Sequence, residues 1–504
     1  MRRLPGLSAA LILMAGGAQA APAARTVIAP VPEAREIPAT APAHPFLATR
    51  HNMVPFDLAP VGYEEVEAFV SGRANVYDWG ADGRPEIRSG GAPYATRILV
   101  RRPADKSKFS GVVVVEPMLD ARSSDWAMMW GYLHDKIVRD GDVWVGVTLP
   151  KSIGSLKKFD AARYAPLAFA PATPLACKTG EAGDTLEEGL RFDMLAQVGA
   201  LLKSSSPTNP LAAYGPSRRL FMTEQGGDAN TYATVFQTLL RLPGGKPVYD
   251  GFMLKTQGAA IPKLNHCGQA VPAGDPRGAL KGVGVPVIAV MAPGEVVGFQ
   301  ASRRDDSDDK ADPYRRYEVA AGNHLDRYAY SGFPSFEDQA KAGVAQGAPE
   351  WPFANQCSPA IQLSGLPVMK YAFDTALSHL AAWSRDGTPP PRAPRIALKP
   401  GGRFVELDAN GIAVGGVRGV HADLPISADA LGAPGPGNCR EIGGTVAYSW
   451  PYLTKLYGTP KARAATALAE VDAMVKARWL TPGDADLLRA EITAPPKPPV
   501  VPAS

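Results

Sequence analysis

The 504-residue chain is poor in several things, and each scarcity excludes something. It has only four cysteines, Cys177, Cys267, Cys357 and Cys439, far apart and with no CxxC pair. That excludes a redox dithiol and a cysteine-built metal knuckle, and no metal or cofactor is expected. It has little excess charge: 53 Lys+Arg stand against 49 Asp+Glu, a formal +4. No basic stripe emerges, so nucleic acid is not an expected partner. Beyond the first twenty residues no apolar run approaches the roughly 20 residues that span a bilayer, so no membrane-spanning helix is expected. No internal repeat is visible. There are seven histidines, which keeps the list of candidate bases short.

Glycine and proline, by contrast, are plentiful, at 51 and 49. Proline is at about twice its usual share, which implies many loops. The opening MRRLPGLSAALILMAGGAQA combines Arg2 and Arg3, a short apolar core and a small-x-small site at Ala18–Ala20. Residues 1–20 therefore read as a signal peptide, and the expected location is periplasmic or extracellular. Cleavage there would take Lys+Arg from 53 to 51 and the net charge to +2. In an oxidising compartment four cysteines suggest two disulfides in one of three pairings. Residues 21–45 are Ala/Pro-rich and read as an extended leader.

From about residue 46 the pattern is that of an α/β domain. Near-continuous apolar runs at 95–102, 111–117, 143–149, 219–224, 250–256, 285–292 and 314–322 read as buried strands. Helical patterns at 123–141, 184–204, 228–241 and 366–387 lie between them. This alternation predicts a mostly parallel sheet with helices on both faces, over 46–400. Residues 401–495 read as an appendage packed on that core, with helices near 460–476 and 482–491, and 496–504 as a frayed tail.

Three positions stand out for chemistry. RRLFMTEQGGDANTYATVF (218–236) reads as strand, sharp turn, helix, the arrangement that presents the nucleophile in α/β-hydrolases. VPVIAVMAPGEVV ends a strand and places Glu295 in the following loop, where a carboxylate can orient an imidazole. YEVAAGNHLDRY places His324 in a loop straight after another strand, where a base can swing toward a substrate. The order turn, acid, base is the α/β-hydrolase order. His134 and His379 lie in helical patterns and read as packing residues. The five aspartates of RRDDSDDKADPY (303–314) lack calcium-loop spacing and read as a solvated loop.

Over roughly 45–495 the chain resembles the alpha/beta hydrolase domain family of large exported bacterial proteins. The resemblance rests on YEEVEAFVSGRANVYDW (63–79), APYATRILVRRP (92–103), VVVVEP (112–117) with WGYLHDKIVRDGDVWVGVT (130–148), FDAARYAPL (159–167), YRRYEVAAGNH (314–324), WSRDGTPPPRAPRI (383–396), GIAVGGVRG (411–419) and LYGT (456–459). It implies an α/β-hydrolase fold and a Ser–acid–His hydrolase acting on small ester-like substrates. In that family R-[VL]-[YF]-x-T leads into G-x-S-Q-[ST]-G. Aligned without gaps from Arg219, Glu224 falls on the first glycine, Gly226 on the serine and Asp228 two residues beyond it. Glu295 falls on the acid and His324 on the base. Relatives often carry an asparagine near the oxyanion site, and Leu119 falls there, followed by Asp120. A leucine side chain offers no donor, leaving backbone N–H groups such as that of Gly227.

Three readings follow. The protein is a non-catalytic binder of a small ligand in a hydrolase cleft; or its nucleophile has moved, Thr223 being the nearest hydroxyl and Asp228 the nearest carboxylate past the turn; or His324 and Glu295 activate water directly. Asp228 is better suited to capping its helix or facing the helix dipole. Substrate and oligomeric state are not legible in the sequence.

Overall fold

A computed structural model describes residues 26–38, 43–120, 123–170, 177, 186–216, 218–344, 364–431 and 443–494. The expected signal peptide and tail, and Cys357 and Cys439, lie outside these residues.

The centre is a ten-stranded sheet. Its strands in chain order are β1 (Glu33–Glu36), β2 (Tyr63–Trp79), β3 (Pro85–Pro103), β4 (Val112–Pro117), β5 (Val143–Val147), β6 (Ala168–Phe169), β7 (Arg219–Gln225), β8 (Gly251–Lys255), β9 (Val287–Met291) and β10 (Tyr314–Glu318). In space the order is β10-β9-β8-β7-β4-β5-β3-β2-β1, with β6 beside β3. From β10 to β5 every pairing is parallel. From β5 outward through β3, β2 and β1, and between β3 and β6, every pairing is antiparallel.

The parallel half forms where the apolar runs are, because strands covered on both faces need apolar side chains on both. Their alternation divides the core in two. Val113, Val115, Leu220 and Met222 face one cluster, with helix α3 (Leu190–Lys203). Val114, Phe221, Met253 and Ile288 face the other, with α1 (Met128–Asp140), α2 (Ile153–Phe159) and α7 (Val368–Asp386). Each of α1 and α7 ends at a glycine with positive φ, Gly141 and Gly387, the left-handed conformation that closes a helix. Glu116, at the end of β4, receives the Met129 and Trp130 backbone N–H at 2.8 and 2.9 Å. A buried carboxylate thus caps α1, and burial lifts its pKa to about 7.

Two expectations change. Residues 33–36, inside the expected leader, form the edge strand β1 on β2; of these four residues (EARE) only Ala34 is buried, which suits an edge strand. The helix expected over 228–241 is broken. It runs as α4 (Asp228–Thr231), then a wide π-turn over Tyr232–Phe236, and Leu240–Arg241 pairs instead with Val27–Ile28.

The C-terminal region packs in two places. Ile396, Val405, Ile412 and Ala413 bury against Met291, Val296, Ala320 and Ala321, at the ends of β9 and β10. Helices over Pro460–Lys476 and Pro482–Thr493 cover Tyr371 of α7. One disulfide, Cys177–Cys267, links two of the four cysteines, with Cα atoms 5.1 Å apart.

Candidate active site

The three expected positions lie at the C-terminal ends of neighbouring parallel strands: the turn after β7, the segment after β9 and the loop after β10. In open α/β sheets this is where ligands bind. Glu295 is not in a loop. It occupies the first turn of a short helix, α5 (Pro293–Gly298), because Pro293 suits the first helical position and Glu295 Oε2 accepts the Ala292 N–H at 2.8 Å. This bond fixes one carboxylate oxygen and leaves the other facing the site.

That second oxygen, Oε1, is surrounded by donors. His324 Nδ1 lies 2.7 Å away, Lys255 Nζ 2.9 Å and the Thr256 hydroxyl 2.7 Å. Glu295 and Lys255 are fully buried. Burial alone would raise the carboxyl pKa, but Lys255 and then His324 outweigh it and bring it down to about 2. Thr256 has φ +60°, uncommon for a β-branched residue, and in that conformation its hydroxyl reaches Glu295. The result is an ionised carboxylate holding one nitrogen of an imidazole whose side chain is 12% exposed.

The other imidazole nitrogen, Nε2, meets Gln225, whose amide nitrogen lies 3.2 Å away. With the amide N–H donating to Nε2, the imidazole carries its proton on Nδ1, toward Glu295. Turned end for end, the same amide offers Oε1 to a protonated Nε2–H. Sequence reasoning missed Gln225, since a glutamine ending a strand belongs to no motif.

At the turn itself, Gly226 has φ +156° and no side chain. A Cβ built there would collide with Oε1 of Glu224 and touch Leu119 Cδ1 at 3.4 Å. The space of the missing side chain is therefore occupied by the carboxyl of the residue two before it. Glu224 is fully buried, and its Oε2 accepts the Ala229 N–H at 2.6 Å. Burial first, then nearby Asp228 and Asp120, hold its pKa well above the carboxylate range. Glu224 was legible in the sequence only as a misfit at a position where the family has glycine.

The remaining candidates fall around this turn. Thr223 is buried, and among the described residues its hydroxyl has no hydrogen-bond partner. Asp228 opens α4, but its carboxylate is not a cap; it accepts from Arg191 Nε at 2.6 Å. Gly227 precedes α4. Leu119 pairs its backbone with Trp126 through both N–H and C=O, so its N–H is committed. Asp120 is half-buried; burial, then Asp228, raise its pKa to about 6.

Two sets of residues lie elsewhere. His134 is buried in α1 with Nδ1 on the Gly131 carbonyl at 2.9 Å, and His379 meets the Tyr317 hydroxyl at 3.0 Å. The aspartates of 303–314 are not merely solvated. Asp306 pairs with Arg395, Asp308 with Arg315 and Arg392, and Asp312 with Arg304. They clip the loop to β10 and to the segment after α7.

The comparisons agree with this architecture. Residues 29–490 match the alpha/beta hydrolase domain family, and the chain belongs to that family. Among solved structures it is similar to a thermostable esterase from Pseudomonas putida, at 12% identity over 57% of this chain and 82% of that one, with a TM-score of 0.29. It is also similar to a lid-less α/β serine hydrolase from Xanthomonas campestris, at 9% identity over 56% and 97%, with a TM-score of 0.26. At scores of this size the likeness carries no argument about the site. A search of curated proteins finds no match.

Proposed function

We propose that this protein keeps the acid–base half of an α/β-hydrolase site and binds a small ester-like molecule without forming a covalent intermediate. The observation that carries the reading is at the turn: Gly226 offers no nucleophile, and the Glu224 carboxyl fills the space where one would stand. The contact between Gln225 and His324 Nε2 supports it, since that nitrogen is the one that would take a proton from a serine hydroxyl. Neither candidate replacement is favourably placed. Thr223 is buried in the sheet, and Asp228 is held by Arg191.

A second reading has its own support. Glu295 is ionised and bonded to His324 Nδ1, which suits the imidazole to general-base activation of water. Turnover of p-nitrophenyl acetate and butyrate by the purified protein, with a His324→Ala control, separates the two. Binding without covalent chemistry requires turnover no faster than the His324→Ala background. Turnover that His324→Ala abolishes would support activated water or a relocated nucleophile instead.

A further inference from the structure

Away from this site, His44, His51 and Asp338 converge from two distant parts of the chain. One ligand atom from each lies within 4.8 Å of the other two. We propose that these three residues form a binding site for a divalent transition-metal cation of the zinc class.

Asp338 is the fixed member. It lies in helix α6 (Phe336–Lys341), is 1% exposed, and has its backbone N–H on the Ser335 hydroxyl at 3.1 Å. Its two oxygens straddle His44 Nε2 at 3.2 and 3.1 Å. Ligand atoms about a tetrahedral zinc, each about 2.0–2.2 Å from the metal, stand roughly 3.3–3.5 Å apart. The His44–Asp338 spacing is close to that, and the His51 ligand atom lies within 4.8 Å of both. The His44 and His51 rings stack with centroids 3.4 Å apart and planes 8° from parallel, so the exposed His51 ring must turn out of the stack for both in-plane lone pairs to converge on one ion.

Charge argues in the same direction. A buried carboxylate needs a partner of opposite charge or a bound cation, and Asp338 faces the two imidazoles. Nearby formal charges are already matched: Lys341 pairs with Glu337 at 2.8 Å and Arg50 with Asp57 at 2.7 Å. A dication on two neutral imidazoles and one carboxylate compensates Asp338 and satisfies both rings.

The donor set fixes the class of ion. Two nitrogens and one oxygen suit zinc and its neighbours better than calcium or magnesium, which prefer all-oxygen sites. Both histidines line a cleft of about 370 Å³, together with Asp57, Tyr63 and Glu64 among others. A water or a small anionic ligand can complete the coordination there. The ion would also tie the segment at 44–51 to α6.

The test uses tag-free full-length protein stripped with EDTA, then titrated with zinc by calorimetry and dialysed for metal analysis. Wild type is expected to retain one zinc per chain. His44→Ala and His51→Ala should each weaken binding by about tenfold or more, while Arg50→Ala, in the same cleft, should not. Cobalt loading gives a second readout: intense d–d absorption bands in wild type, absent from both histidine variants. Zinc retained equally by all three variants would place the metal elsewhere and overturn the proposal. So would a wild type that binds no zinc, which would leave a hydrogen-bonded His–Asp pair only.

Discussion

Glu224 and Gly226 are two residues apart and share one volume. A serine at 226 has nowhere to put its Cβ while Glu224 stays where it is. Gly226→Ser alone is therefore expected to leave ester hydrolysis silent, and Glu224→Gly with Gly226→Ser to create it. Parallel p-nitrophenyl butyrate assays check this, and the gain should vanish with His324→Ala. Residual catalysis by a site without its nucleophile is about 10³–10⁴ over water, so the gain should stand several orders of magnitude above wild type. Glu224 also has a signature in stability. Its folded pKa is raised, so the folded state holds a proton that the unfolded state has released above its ordinary value. Stability should therefore fall as pH rises from about 4.5 toward the folded pKa, by up to about 1.4 kcal/mol per unit. Glu224→Gln removes this slope, so urea midpoints of wild type and variant should diverge as pH rises from 5 to 8, with the variant the more stable.

At the scale of elements, the site rests on what the ends of β8, β9 and β10 hold together. Lys255 ends an apolar strand and meets Glu295 with both side chains buried. Removing one partner of such a pair strands the other charge, at about 3–5 kcal/mol. Lys255→Met should cost that much in urea denaturation, and adding Glu295→Gln should recover part of it. The parallel strands were legible because burial on both faces demands unbroken apolar runs. Of the long hairpin of β2 and β3 only the apolar end at 95–102 was legible, and it pairs antiparallel; in the rest, glutamates, serines and glycines alternate with apolar residues on a half-exposed face. The helix after the turn was legible in position but not in form. Its Tyr232 and Phe236 lie in a widened turn and pack on Tyr77, Tyr249 and Phe252. Glu295 and His324 were legible as carboxylate and imidazole following strands. Gln225 and Lys255 were not, because their role exists only once the strands lie side by side.

At the scale of the whole molecule, long connections are tied down at a few points. The Cys177–Cys267 bridge closes a separation of 90 residues, a loop whose closure entropy corresponds to about 4–5 kcal/mol. A Cys177→Ala/Cys267→Ala variant should lose stability of that order in equilibrium urea unfolding. The C-terminal region is tied in as well. Val417 donates to the Glu318 carbonyl at 2.6 Å and accepts from Ala320 N–H at 3.0 Å, bracing the turn that leads to His324. The two-disulfide expectation extends to Cys357 and Cys439, which lie outside the described residues. The fold sets Glu295 and His324 beside a turn where the Glu224 carboxyl fills the space of a side chain at 226, and the proposed reading places no nucleophile there. Intact-mass spectrometry after treatment with a fluorophosphonate probe of serine nucleophiles tests that directly. Wild type should stay unmodified, and the Glu224→Gly/Gly226→Ser variant should gain one adduct per chain. An adduct on wild type that disappears with His324→Ala would contradict the absence of a nucleophile at this site.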